Sequence, residues 1–178
     1  MDDIRASKLL SRVLRHAPES VGLQLDATGW MGIDELLAAL AAHGRILTRE
    51  QLVRVVAGSD KQRFAIDAET DRIRANQGHS VEVDLQLEPV TPPAVLFHGT
   101  PDRNVQAILR DGLRKGQRHH VHLSADTETA AKVGARRGVF TILAIDAARM
   151  AADGHLFYRS DNGVWLADAV PATYVSVA

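Results

Sequence analysis

The chain has 178 residues, 46% of them apolar, and a net charge of -1, which fits one large or two small globular domains and excludes a disordered chain. No run approaches the roughly 18 apolar residues of a spanning helix, and the start MDDIRASK lacks the charged-then-apolar order of a secretion signal, so a cytoplasmic protein is expected. The absence of cysteine excludes disulfides and thiolate metal sites and leaves His, Asp and Glu as the available metal ligands.

In chain order, SKLLSRVLRH places Leu10, Val13 and Leu14 at helical spacing, with Arg5, Arg12 and His16 on another stripe. GWMGIDELLAALAAHG offers Asp34 as N-cap, Leu36, Leu37 and Leu40 as an apolar face and Gly44 as C-cap. TREQLVRVV opens with Thr48 and Gln51 at capping-box spacing and predicts a third helix. KQRFAIDAETDRIRANQG holds two short β-prone runs about a polar turn, the pattern of a hairpin. Three helices and a hairpin make a winged-helix-like lobe over residues 1–88, a shape common in nucleic-acid binding that does not by itself fix function. Prolines at 89, 92 and 93 in LEPVTPPA resist both helix and central strand. Residues 89–93 are therefore read as a linker.

Beyond it, AVLFHGT predicts a strand, DRNVQAILRDG a helix capped by Asp102, HHVHLS a strand and DTETAAKVGARRG a helix. VFTILAIDAA, GHLFYRSD, NGVWLADAV and TYVSVA predict further strands, so residues 94–178 form a second, strand-rich unit and the whole is α+β. No G-x-G-x-x-G is present, which argues against a Rossmann site. Up to and including Glu88 there are 11 basic and 14 acidic residues, and after it 10 and 8. Neither part attracts polyanions as a whole, so a nucleic-acid contact has to be local. Arginine supplies 17 of the 21 basic residues. A GC-rich genome is the plainer explanation of that bias; the functional one is a need for guanidinium forks that grip phosphate with paired hydrogen bonds.

RHHVHLS, residues 118–124, raises the question of a metal, because His120 and His122 alternate along a strand and face the same way. With His98 or His79 a three-histidine site is conceivable, but there is no H-E-x-x-H and no obvious carboxylate ligand nearby. No metal is expected. His98 and Gly99 end an apolar strand, an arrangement that exposes an imidazole beside backbone approachable at the glycine. The helix start that follows can attract an anion.

The pair HG, a helix ending in GL and a strand carrying HLSAD resemble the ADP-ribosyltransferase fold. Within it, LSRVLRHAPESVGLQLDATGW, DKQRF, IRANQGHSV, FHGT, HHVHLS, VGARRG and DNGVWL, in this order from about Ser7 to Trp165, resemble the NAD-dependent RNA 2'-phosphotransferase family of the KptA type. The resemblance implies a winged-helix-like lobe joined to a C-terminal ADP-ribosyltransferase-like lobe. It also implies a reaction in which an internal RNA 2'-phosphate, such as that at a tRNA splice junction, is moved to NAD. The phosphate first displaces nicotinamide from the ribose. The ribose 2''-hydroxyl then attacks phosphorus, giving 2'-hydroxyl RNA and ADP-ribose 1'',2''-cyclic phosphate. NAD is consumed as a cosubstrate.

By the same resemblance, Arg15, His16, Arg63 and Arg136 match the residues around the transferred phosphate. His98, Gly99, Thr100, His122, Ser124, Asn162, Gly163, Val164 and Trp165 match the NAD cleft. Arg12, Lys61, Arg118, His119 and Arg137 are candidate RNA or phosphate contacts; RKGQRHH could serve RNA or the NAD pyrophosphate, and a solvated basic loop is an equal reading of it. The family's fourth motif often runs VG-x-R-H-G, and Arg137 stands here in the histidine's place, which leaves open whether Arg136 or Arg137 serves the phosphate. Val164 occupies the position where protein-modifying relatives carry a glutamate. A phosphate dianion is already a nucleophile and needs no carboxylate to activate it. Two rival activities share these motifs: capping of a terminal RNA or DNA phosphate with ADP-ribose, and nucleotide sensing by a winged-helix regulator without turnover. A single small site implies a monomer.

Overall fold

The computed structural model describes residues 1–178 apart from the side chain of Arg137. The protein is a mixed α+β chain with small antiparallel sheets, and it divides into two compact units, residues 1–86 and 87–178. Among the described residues no helix is long and apolar enough to cross a membrane.

In the first unit, helix α1 (Asp3–Arg15) begins where the Asp2 carboxylate accepts from the Arg5 N–H. It stops before Pro18, whose ring disfavours helical backbone at the preceding residue. Leu10, Val13 and Leu14 are fully buried on its inner face, as their spacing predicts. Each such side chain contributes about 1.5–3 kcal/mol relative to exposure. Helix α2 (Ile33–Ala42) is capped by Gly32 rather than Asp34, which lies in the first turn where its charge still complements the helix dipole. Its C-cap is His43, one residue before Gly44, whose left-handed backbone (φ +70°) then ends the helix. Helix α3 (Arg49–Ala57) carries half of the predicted capping box. Thr48 accepts from the Gln51 N–H, but the Gln51 amide turns to Asp3 instead of reaching back. Strands β2 (Phe64–Asp67) and β3 (Arg72–Ala75) form the predicted hairpin, and β1 (Met31–Gly32) adds to β3, giving the order β1-β3-β2. Asp26 ties this addition down. Its carboxylate accepts from the Thr28 and Trp30 N–H groups and pairs with Arg72 at 2.8 Å.

The second unit is built around β4 (Val95–Pro101) and β7 (Phe140–Asp146), which pair antiparallel along seven residues, with β11 (Val175–Val177) on the far side of β7. A second sheet has β9 (Trp165–Ala167) at its centre, flanked by β6 (Val121–Leu123) and β8 (Phe157–Arg159). The short β5 (Leu113–Arg114) and β10 (Ala169–Val170) make a third. Helix α4 (Asp102–Asp111) is capped by Pro101, not Asp102. The Asp102 carboxylate instead accepts from the Thr141 hydroxyl at 2.7 Å, a partner 39 residues away that local sequence does not reveal. Helix α5 (Thr127–Gly134) is capped by Asp126, and α6 (Ala147–Ala152) ends the run read as continuous strand. The stretch 89–93 belongs to this unit, where the Val90 N–H donates to Phe157 O at 2.8 Å.

Candidate active-site residues

Arg15 and Arg63, 48 residues apart, meet in the first unit because α1 ends beside the start of β2. Arg15 Nη2 donates to the Arg63 carbonyl at 3.2 Å, and its guanidinium lies 5.8 Å from the centre of the Phe64 ring. The same carbonyl accepts from the Asn76 N–H at 3.0 Å. Asn76 Nδ2 donates to the Gln62 carbonyl at 2.6 Å, holding Gln62 in left-handed backbone (φ +41°), unusual for a residue with a Cβ. Arg63 is steadied from the other side, where Nη1 donates to Ser59 Oγ at 3.3 Å. His16 Nδ1 lies 3.0 Å from Ser80 Oγ, and the Ser80 N–H donates to the Arg15 carbonyl at 2.8 Å. Two arginines and an imidazole are therefore pinned through backbone as well as side chain. His16, Arg63, Arg12 and Lys61 also line one groove. Asn76, Ser59 and Ser80 are positioning residues that the sequence does not announce, although each lies in or beside a quoted motif.

The second unit assembles the NAD-motif residues through strand pairing. β6 pairs with β9, setting His122 opposite Leu166 and Leu123 opposite Trp165. β4 joins the end of β6 through two 2.8 Å hydrogen bonds exchanged by Phe97 and Ser124. His98, Thr100, His122, Ser124 and the turn before β9 are thus gathered by adjoining strands. His98 Nδ1 lies 3.0 Å from the His122 carbonyl, an atom that only accepts, so this nitrogen carries the proton and Nε2 presents a lone pair. Burial pushes the His98 pKa below the usual histidine value, and the Arg118 charge adds to that, against the carbonyl hydrogen bond. His98 is a neutral acceptor at neutral pH.

Gly99 has a packing role that the HG pair alone does not reveal. A Cβ there would sit 2.0 Å from the Ala130 carbonyl, so the glycine admits α5 onto β4. The 162–165 turn is organised by buried Ser160, a residue that no motif or spacing singles out. Its hydroxyl donates to Asn162 Oδ1 at 2.7 Å and accepts from the Val164 N–H at 3.1 Å, while Gly163 takes a left-handed conformation (φ +80°). Trp165 is 7% exposed, with the Arg159 guanidinium 5.7 Å from its ring.

Arg136 is exposed in a 3₁₀ turn, Ala135–Arg137, that continues α5, so it belongs to the second unit and Arg15, His16 and Arg63 to the first. The Arg137 side chain lies outside the described residues. Arg118 donates to His122 Nδ1 at 3.3 Å, and His119 is half-buried beside it. His120 packs against Tyr158 with ring centres 5.5 Å apart, and His79 is buried in the first unit. Among the described residues no group of three or more His, Asp or Glu side chains is placed to hold a metal ion.

Over residues 1–169 the chain matches the sequence model of the family described as RNA 2'-phosphotransferase, Tpt1 / KptA family. It is similar to proteins named Probable RNA 2'-phosphotransferase from several bacteria. The one from Agrobacterium fabrum is 56% identical over 172 residues, covering 97% of this chain and 92% of that protein. The one from Nostoc punctiforme is 53% identical over 172 residues, covering 97% and 95%, and the one from Streptomyces griseus is 52% identical over 179 residues, covering 97% and 95%. With the match spanning both compact units, this chain belongs to the RNA 2'-phosphotransferase, Tpt1 / KptA family.

Proposed function

We propose that this chain removes an internal 2'-phosphate from RNA by transferring it to NAD. The first unit is assigned a winged-helix-like role in holding the RNA, and the second an ADP-ribosyltransferase-like role in holding NAD. The observation that carries this reading is the Arg15, His16 and Arg63 cluster, tied together through one carbonyl and one serine on each side. Phosphoryl transfer makes little covalent demand on a protein and depends on positioned positive charge around the phosphate oxygens. Two guanidiniums held at fixed places supply that charge, and His16 is placed to hydrogen-bond the phosphate or to give a proton to the departing RNA oxygen. Assignment of Arg136 to the same phosphate rests on the motif VGARRG.

The second unit's residues fit a neutral dinucleotide ribose better than a metal or a second anion. The lone pair of His98 Nε2 accepts from a ribose hydroxyl, and its depressed pKa keeps that lone pair available at neutral pH. The turn made by Asn162, Gly163 and Val164, braced by Ser160, gives a rigid polar edge next to Trp165. In the proposed chemistry a 2'-phosphate oxygen forms a bond to the ribose carbon as nicotinamide leaves. The 2''-hydroxyl then attacks phosphorus, and the RNA oxygen leaves as a 2'-hydroxyl. Incubation with NAD and a 2'-phosphorylated oligonucleotide tests the reading. Nicotinamide, 2'-hydroxyl RNA and ADP-ribose 1'',2''-cyclic phosphate are expected in equal amounts. A stable ADP-ribosylated nucleic acid without dephosphorylated RNA would select terminal-phosphate capping instead, and no consumption of NAD would reject both.

A further inference from the structure

A groove of about 530 Å³ opens in the first unit along α1 and the residues that follow α3, a size in the range of sites that bury a small ligand. His16 and Arg63 line it, and so do Ile4 and Arg54. At 1.5 Å per helical residue, Ile4 and His16 are about 18 Å apart along α1. The groove therefore runs well past the cluster assigned to the reacting phosphate. Among its lining residues, Lys8 and Arg12 stand one turn apart on α1, a like-charge spacing that an isolated helix disfavours. Lys61 and Arg63 line it from the other chain segment. Asp3 is neutralised by Arg54 at 2.9 Å, which holds its carboxyl down to about 2, so Asp60 is the carboxylate left among the lining residues against those four cations. Ser7 and Ser11 add hydroxyls, and Ile4, 70% exposed, leaves an apolar surface at the far end.

We infer that this groove carries the RNA strand flanking the 2'-phosphate, with Lys8 contacting a phosphodiester distant from the reacting one. The inference rests on the placement of the 2'-phosphate proposed above. Lys8 is eight residues from His16, about 12 Å along the helix, which corresponds to about three nucleotides of a stacked strand. A dinucleotide cannot reach it. A longer oligonucleotide can, and gains a charge contact that is independent of sequence and sensitive to salt.

The test compares a 2'-phosphorylated dinucleotide with 2'-phosphorylated decamers extended on the 5' or the 3' side. Wild-type protein is expected to favour one decamer about tenfold in kcat/KM. Lys8→Glu, at an exposed position that leaves the core intact, should lose about tenfold on that decamer and less than twofold on the dinucleotide. Equal losses on both, or no length preference in the wild type, would overturn the groove assignment. A second arm needs no turnover: fluorescence anisotropy of a labelled decamer without NAD. Here Lys8→Glu should weaken binding about tenfold at low salt and flatten the dependence of log K on log salt by about one contact or more. If no substrate is turned over yet binding depends on Lys8, the phosphotransfer reading fails and the groove stands. Binding indifferent to Lys8 rejects the groove whatever the turnover.

Discussion

The two units solve the placement of polar groups in opposite ways. In the first, cations are gathered at the end of a helix and fixed by backbone carbonyls and small hydroxyls: Arg15 by the carbonyl of Arg63, Arg63 by Ser59, His16 by Ser80. In the second, the assigned groups are mostly neutral, and strand pairing sets their places, with His98 leaning on the His122 carbonyl and Asn162 on Ser160. In the proposed reading, charge suits the stabilisation of a migrating phosphate, and neutral acceptors suit sugar hydroxyls, which they hold without drawing in counterions.

The contrast breaks most visibly at Arg63. Arg63→Ala is expected to lower kcat/KM by about 10²–10³-fold, the loss typical of one fixed donor to developing charge, while NAD affinity measured calorimetrically stays within a few fold. A variant that loses NAD affinity and keeps its rate would reverse the division of roles. The corresponding break in the second unit is steric. Gly99→Ala forces a Cβ against the Ala130 carbonyl and should cost about 1–3 kcal/mol, seen as a fall in melting temperature. In the same variant the indole NMR signal of Trp165 should move and that of Trp30, in the other unit, should not.

A finer test falls on Asn76, which touches the arginine cluster through Gln62 and the Arg63 carbonyl. Asn76→Ala should reduce kcat about tenfold with little change in KM for NAD, and Asn76→Asp, which keeps the shape but not the amide donor, should not restore it. If both variants merely lower the melting temperature, Asn76 is structural alone.

The smallest expected effect is the pH dependence of His98. An unfolded histidine titrates near 6.5, and the folded value is lower because the ring is buried. Below about 6.5 the unfolded chain takes up a proton that the folded chain resists, so this contribution to stability is full above that pH and is lost as pH falls toward the folded value. His98→Gln should flatten the decline in urea midpoint from pH 7.5 to 5.5. An unchanged slope would mean that the ring titrates normally.

Elements whose signals are local could be read from the sequence: the buried stripe of α1, Thr48 as an N-cap, and the β2–β3 hairpin on either side of its polar turn. Signals that depend on a distant partner could not. Asp102 has the chemistry and position of a cap, yet Thr141 across the sheet claims its carboxylate. The His98-Gly99 pair is visible as a motif, but only the approach of Ala130 shows that the glycine makes room for a helix. Ser160 and Asn76 look like ordinary polar residues in turn and strand-end positions. Their importance lies in burial and in hydrogen bonds to groups 2 to 14 residues away, which spacing rules do not encode.

The most direct measurement is a crystal structure of the protein with a 2'-phosphorylated oligonucleotide bound. The proposal predicts the 2'-phosphate within hydrogen-bond distance of Arg15, His16 and Arg63. A 2'-phosphate seated instead on Arg118 and His119, with the Arg15 cluster unoccupied, would contradict it.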